Sequence, residues 1–167
     1  MVVIVLGLPG CGKSYFAQRL AKMIHAEYVN SDRLRKENFK MRMYSEGEKA
    51  KIYDMMLQKM KEAIRYHKNL VLDATFHKNE TRKPFVKQAK ESLFFVEVWA
   101  KESIIRERLK KKRPYSDADF EVYQSLQQEW ESLEEPHLLL ESTNANIHSM
   151  LQKAVQYLGW NNDKKPD

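Results

Sequence analysis

Gly7-Leu8-Pro9-Gly10-Cys11-Gly12-Lys13-Ser14 decides the reading of this chain. The stretch fits G-x-x-x-x-G-K-[ST], the Walker A or phosphate-binding loop. Before it, Val2-Val3-Ile4-Val5-Leu6 is a run of five apolar residues, four of them β-branched, as in a parallel strand buried on both faces. After it, Phe16, Leu20, Met23 and Ile24 recur at helical spacing. The glycines therefore fall on a strand-to-helix turn, where they let backbone N–H groups close on phosphate with no side chain in the way. The helix start adds unpaired N–H groups and the positive end of its dipole. Lys13 is expected to reach the β- and γ-phosphates, and the Ser14 hydroxyl to ligate Mg²⁺. Gly7, Leu8, Pro9, Gly10, Cys11, Gly12, Lys13, Ser14 and Tyr15 are the expected ATP contacts. Cys11 fills a free position of the motif, either as a thiol activated by the helix start or as a small tolerated loop residue.

With 167 residues the chain suits one domain, expected over residues 1–160 with a polar tail at 161–167. Its net charge of +6 favours an anionic partner, and ATP accounts for part of that preference. No apolar run approaches the roughly 20 residues of a membrane span. The N-terminus enters a strand without a basic, signal-like lead, and the single cysteine excludes an internal disulfide. These features predict a cytoplasmic protein. The five histidines are scattered and none reads as a metal ligand, although His77 lies near the expected site.

Further along, Ala26–Asn30 reads as a second strand ending at Ser31-Asp32-Arg33-Leu34-Arg35. Ligands of open α/β sheets bind beyond the carboxyl ends of strands, so Asp32 and Arg35 stand where chemistry would occur. The Asp-x-x-Arg spacing sets both on one side of a helical turn. The carboxylate can take the proton of an attacking hydroxyl, and the arginine can clamp phosphate. The alternative is Asp32 as a helix cap with Arg35 solvated. Ser45-Glu46-Gly47-Glu48 reads as a capping box opening a helix to about His67, with Ile52, Met56, Met60, Ala63 and Ile64 as its apolar stripe.

Asn69–Thr75 is the third strand. It ends in Asp73, placed like a Walker B carboxylate to hold Mg²⁺ or a metal-bound water, or else capping the next loop. Thr75, Asn79 and Arg82 follow on the same edge as candidate substrate contacts, and Asn79 alternatively caps the next helix. Pro84 fits that helix only near its start. Leu93–Trp99 is the fourth strand. From Ser103 to Arg113 a helix is expected whose last eight positions hold six basic residues, then Pro114 breaks it and a second helix runs from Ser116 to about Leu133. This pair, about 103–133, reads as a lid that brings Arg108, Lys112 or Arg113 to the transferring phosphoryl group. The alternative is a solvated basic helix or a nucleic-acid patch. His137–Glu141 is the fifth strand, Ser142–Asn144 its edge and a candidate for adenine contacts, and Asn146 the expected cap of a last helix to Leu158.

Together these residues resemble small P-loop kinases of the polynucleotide 5′-hydroxyl kinase, zeta-toxin and gluconate-kinase-like group, with an AAA-type ATP-binding core. The resemblance covers about residues 1–158. It implies a P-loop NTPase fold, three-layer α/β/α with a five-stranded parallel sheet and a helical lid. It implies ATP and Mg²⁺ as cofactors, with Ser14 and Asp73 at the metal. Lys13, Asp32, Arg108 and Arg113 would be catalytic, and Asp32, Arg35, Thr75 and Arg82 would meet the acceptor. The Gly-Phe-Pro-Arg of nucleoside-monophosphate kinases and the Asn-Lys-x-Asp of GTPases are absent. The implied activity is γ-phosphate transfer to a hydroxyl. The 5′ end of RNA or DNA comes first as acceptor, on the resemblance and the positive charge. A small-molecule hydroxyl on a nucleoside, sugar, nucleotide sugar or antibiotic comes next. An ATP-binding switch without an acceptor is the reading from another class.

Overall fold

All five expected strands form, and the inner ones at Val2–Leu6 and Leu70–Asp73 are buried at every position while the edge strands are covered in part. In the computed structural model, which describes residues 1–89 and 91–161, they are β1 (Val2–Leu6), β2 (Glu27–Asn30), β3 (Leu70–Asp73), β4 (Leu93–Trp99) and β5 (His137–Glu141). The helices are α1 (Lys13–Met23), α2 (Ser31–Asn38), α3 (Glu46–Arg65), α4 (Asn79–Ala89), α5 (Glu102–Leu109), α6 (Phe120–Gln128) and α7 (Ile147–Tyr157). All pairings are parallel, in the order β2-β3-β1-β4-β5. Of the expected polar tail, residues 162–167 lie outside the described residues.

Alternation within the strands sorts the core into two layers. Val3, Val5, Val71, Val96 and Val98 face Phe16, Leu20 and Ile24 of α1 and Met150, Leu151 and Ala154 of α7. Val2, Ile4, Leu6, Leu70, Leu72 and Phe95 face Ile52, Met56 and Met60 of α3 and Phe85 of α4. The result is the expected three-layer α/β/α fold with a five-stranded parallel sheet. β1 lies at its centre, so the loop after β1 opens at the middle of the sheet's carboxyl edge, where such folds bind ligands. No helix among the described residues is long and apolar enough to cross a membrane.

Several boundaries differ from the expectations, each for a local reason. α5 stops at Leu109 and leaves the basic run Lys110–Arg113 as loop, since clustered like charges oppose a helix and Pro114 disfavours helical backbone at Arg113. α6 starts later than Ser116, because the Asp119 side chain caps it by accepting from Val122 N at 3.0 Å. It ends at Gln128, and the following segment is gripped through its carbonyls by Arg82. Asn79 lies inside α4 and accepts from Arg82 rather than capping the helix, and Pro84 is its sixth residue. Asn30, not Asp32, caps α2, accepting from Arg33 N at 2.9 Å. Asn146 precedes α7 without a side-chain capping bond; it instead ties Thr143 N to the Glu141 carbonyl.

Candidate active site

The phosphate loop is pinned from both sides. Gly7 has φ 156° and Gly12 φ 89°, and a Cβ on Gly7 would stand 2.3 Å from the Val98 carbonyl oxygen. Under Gly10 pack Ile105 and Leu109 of α5, at 3.0 Å from where a Cβ would sit. Leu8 joins a small cluster with Ala100, Ile105 and Tyr123. The loop is thus shaped by its own glycines and by α5. Cys11 is buried, and burial pushes its thiol pKa up, so it is a packing residue and not an activated nucleophile.

A cavity of about 400 Å³ runs along the loop, lined by Gly10, Gly12, Lys13, Ser14 and Tyr15, then by Arg108, Arg113 and the Ser142–Asn144 edge. Arg108 donates to the Gly10 carbonyl (3.2 Å), Ser142 Oγ (3.1 Å) and Asn144 Oδ1 (3.2 and 3.3 Å). It therefore bridges the phosphate loop and the β5 edge. Arg113, by contrast, is among the charges that bear on Asp32, and it donates to the Ala118 carbonyl.

At the ends of β2 and β3 a second group of side chains meets. The parallel register sets Asn30 beside Asp73. Asp73 is fully buried, and its Oδ2 accepts from Tyr28 OH at 2.6 Å and from Asn30 Nδ2 at 2.7 Å. Burial and the adjacent carboxylate push the Tyr28 phenol well above its ordinary pKa, keeping it a proton donor. Asp73 Oδ1 is buried with no hydrogen-bond partner among the described residues, and Asn30 Nδ2 also reaches Ser14 Oγ at 3.5 Å. A hydroxyl and an orphaned carboxylate oxygen fit a magnesium ion, which is held by few protein ligands beside phosphates and water. No cluster of three metal-ligating side chains occurs among the described residues, so the phosphates would supply much of the shell.

Asp32 opens α2. Its carboxyl pKa is raised, first by burial and also by Asp73, against the pull of Lys13, Arg35 and Arg113. Arg35 donates to Asp32 Oδ1 at 2.9 Å, and its Nε lies 2.9 Å from Glu48 Oε1. Both Arg35 and Glu48 are buried, and the Arg35 guanidinium also lies 4.8 Å from the Tyr44 ring. Glu48 thus completes only half of a capping box: its backbone N–H reaches Ser45 Oγ, but its side chain holds Arg35 and accepts from Met43 N. The pattern Ser-x-x-Glu was legible; the buried partner waiting on α2 was not.

The loop between α5 and α6 lies against this group. Asp117 accepts from Tyr44 OH at 2.8 Å and pairs with Arg42 at 3.2 Å, while Arg33 and Lys36 approach the Tyr115 ring at 4.8 and 5.2 Å. Of the two other expected substrate contacts, Thr75 is half-buried just past β3. Arg82 is placed elsewhere. It is 1% exposed and donates to the carbonyls of Phe76, Glu131 and Ser132 and to Asn79 Oδ1, so it is a strut between α4 and the segment after α6 rather than a substrate contact. His77, also near the expected site, pairs with Glu129 at 3.4 Å. Asn30, Tyr28 and Glu48 were not among the sequence candidates: Glu48 carried only its capping-box pattern, and the meeting of Asn30 and Tyr28 with Asp73 needs the strand register.

Solved structures share this fold. The chain is similar to a sugar kinase from Janibacter sp. HTCC2649, with TM-score 0.73 and 15% identity over 95% of this chain and 94% of that one. It is similar to a gluconokinase from Sinorhizobium meliloti 1021, with TM-score 0.73 and 15% identity over 95% and 91%. It also resembles the Mycobacterium tuberculosis APS kinase CysC in complex with AMPPNP and APS, with TM-score 0.65 and 18% identity over 95% and 96%. No curated protein matches the sequence. A family model described as AAA domain matches residues 2–136, most of the chain, and the protein belongs to that AAA domain family.

Proposed function

We propose that the protein is an ATP- and Mg²⁺-dependent phosphotransferase that moves the γ-phosphate of ATP to a hydroxyl, with a polynucleotide 5′-hydroxyl as acceptor. The observation that carries the transfer reading is the partly desolvated carboxylate of Asp32, in the field of Lys13, Arg35 and Arg113. A module that only binds nucleotide has no use for it. In this reading the phosphate loop and Lys13 hold the β- and γ-phosphates, and Ser14 and Asp73 hold magnesium, which when bound offsets phosphate charge. Asp32 orients the acceptor hydroxyl. The acceptor oxygen bonds to the γ-phosphorus as the β,γ-bridging P–O bond breaks, the hydroxyl proton passes to Asp32, and ADP leaves. Arg113 offsets charge on the transferring group, and Arg108 closes the nucleotide cavity. Arg35, tied to Asp32 and Glu48, positions the base.

The polynucleotide assignment is supported by what surrounds Asp32. Arg33, Lys36 and Arg42 alternate with Tyr44 and Tyr115, a basic and aromatic rim of the kind that follows a single strand. A small-molecule hydroxyl is the second reading, favoured by the fold shared with a sugar kinase and a gluconokinase. The test is transfer of labelled γ-phosphate to a 5′-hydroxyl oligonucleotide, beside Asp32→Asn. Label with the wild type alone supports reaction, acceptor and base together. ATP binding without label on the oligonucleotide removes the polynucleotide reading, and wild-type transfer by Asp32→Asn removes the base.

A further inference from the structure

A second cavity, of about 310 Å³, lies on the other part of the phosphate loop. Gly7, Leu8 and Cys11 form one wall; Glu97, Trp99 and Ala100 at the end of β4, Ile105 of α5, and Tyr123, Gln127 and Trp130 form the others. It shares no lining residue with the ATP cavity, and neither Asp32 nor Asp73 borders it. Its volume is at the lower end of small-molecule sites.

Its chemistry is specific. Three aromatic side chains converge: Trp99 is 40% exposed, Tyr123 is buried, and Trp130 carries Arg82 at 5.3 Å from its ring. The strut made by Arg82 to Glu131 and Ser132 fixes the segment that bears Trp130. Beside these rings stands the half-buried Glu97 carboxylate, 3.5 Å from His137 Nε2. Glu97 has one described partner, His137, at Oε2, and among the described residues the side chains of Gln127, Trp99, Tyr123 and Trp130 make no hydrogen bond. A cavity with aromatic walls and unspent polar groups suits a flat ring with N–H donors on its edge. A simple aliphatic or phosphate ligand would use neither the rings nor the carboxylate.

We propose that this cavity is a nucleobase subsite, in which a base stacks on Trp99, with Trp130 and the buried edge of Tyr123 as further walls, and Glu97 accepts hydrogen bonds from the edge of the base. Oε1 is open and Oε2, which His137 approaches from one side, keeps a lone pair, so the carboxylate can meet two adjacent donors, and guanine, with N1–H and the 2-amino group, is the preferred base. The identification of that base as the terminal base of the acceptor rests on the transfer reading above; a free nucleoside presents the same chemistry. In-line transfer requires the acceptor to approach the γ-phosphate opposite the leaving ADP, and a cavity on the Gly7–Leu8 part of the loop leaves the ATP cavity free for nucleotide.

The test uses the full chain with AMPPNP and Mg²⁺ present, so that the ATP cavity is filled. Tryptophan fluorescence, for which Trp99 and Trp130 are built-in probes, is titrated with guanosine and with uridine. Saturable quenching is expected, with guanosine favoured about tenfold, the scale of one good bidentate contact. Glu97→Gln, which keeps size and shape, is expected to reduce that preference to less than threefold while quenching persists. No saturable quenching at millimolar nucleoside, or a guanosine preference untouched by Glu97→Gln, overturns the subsite. Two 5′-hydroxyl oligonucleotides that differ only in their first base separate the sources. Tenfold faster labelling of the guanine-initiated strand assigns the subsite to the acceptor. Guanosine binding with no oligonucleotide labelled assigns it to a free nucleoside and removes the polynucleotide reading instead. Equal labelling of both strands with no nucleoside binding removes the subsite and leaves the transfer reading intact.

Discussion

Asp32 and Glu48 make the residue-scale case, because each is partly hidden from water for a reason that folding alone does not supply. Burial holds the Asp32 carboxyl above the ordinary value despite three nearby cations. A general base must be ionised, so transfer falls as the pH drops through this raised pKa, and the acid limb of kcat/KM should lie above the ordinary aspartate value of about 3.9. The same shift has a stability sign. Above the folded-state pKa Asp32 is charged in both folded and unfolded chains, and its desolvation penalty is fully present. As the pH falls through that pKa the folded state takes the proton first and the penalty disappears. Asp32→Asn should therefore melt no lower than the wild type at pH 8, with any advantage shrinking in acid; a clear drop in Tm at pH 8 would show that Asp32 is chiefly structural. Glu48 matters through its contact with Arg35. Its removal leaves Arg35 buried with one counter-charge fewer, so Glu48→Ala should cost about 3 kcal/mol in denaturant melts. Glu48→Gln should keep the fold and lower kcat about tenfold through a displaced Arg35–Asp32 pair, with KM for ATP unchanged. An equal loss in Tm and none in kcat would make the pair a fold element only.

At the scale of elements, the α5–α6 segment separates what the chain's pattern reveals from what it hides. Pro114, the basic run and two helical stretches were enough to expect a lid near residues 103–133. The ends of its helices were not, since the second helix starts only at the Asp119 cap, three residues past Ser116, and Arg82 holds the segment beyond Gln128. Nor could spacing separate the basic residues: Arg108 ends on the Gly10 carbonyl and the β5 edge, and Arg113 comes into the field of Asp32. The two should therefore fail differently. Arg108→Ala is expected to raise KM for ATP, and Arg113→Ala to lower kcat by at least 100-fold, as for a lost charge-stabilising donor. Asp117 tests the contact between lid loop and acceptor side. It takes both Arg42 and Tyr44, and all three are solvent-accessible, so Asp117→Ala should change stability by less than about 0.5 kcal/mol. Its effect should appear instead as a several-fold rise in KM for the acceptor with KM for ATP unmoved. If KM for ATP rises instead, the loop closes on nucleotide alone.

For the molecule as a whole, the fold was legible because its strands are short, apolar and divided by helices, and its motif names the loop that joins the first strand to the first helix. Parallel pairing then brings residues far apart in sequence to one edge: Asn30 beside Asp73, and Leu139 beside Glu97. That step needs strand order and register, which no local pattern carries, so the partners of Asp73, the buried Arg35–Glu48 pair and the cavity around Trp99 stayed hidden. Charge is the one whole-chain property that speaks to the acceptor. A net charge of +6 does little by itself, but Arg33, Lys36 and Arg42 concentrate part of it beside Asp32. If the rim engages two or three phosphates of a single strand, the log of oligonucleotide affinity should fall against log salt with a slope of about −1.4 to −2.1. Arg33→Gln with Lys36→Gln should flatten that slope by about 1.4 units if each meets one phosphate, and leave the salt dependence of ATP binding unchanged, because these residues do not line the ATP cavity. A neutral sugar acceptor would instead bind with no comparable slope in either protein. Salt titration of KM for the acceptor at fixed saturating ATP reads the difference directly, and a flat response would place the protein with the small-molecule kinases whose fold it shares.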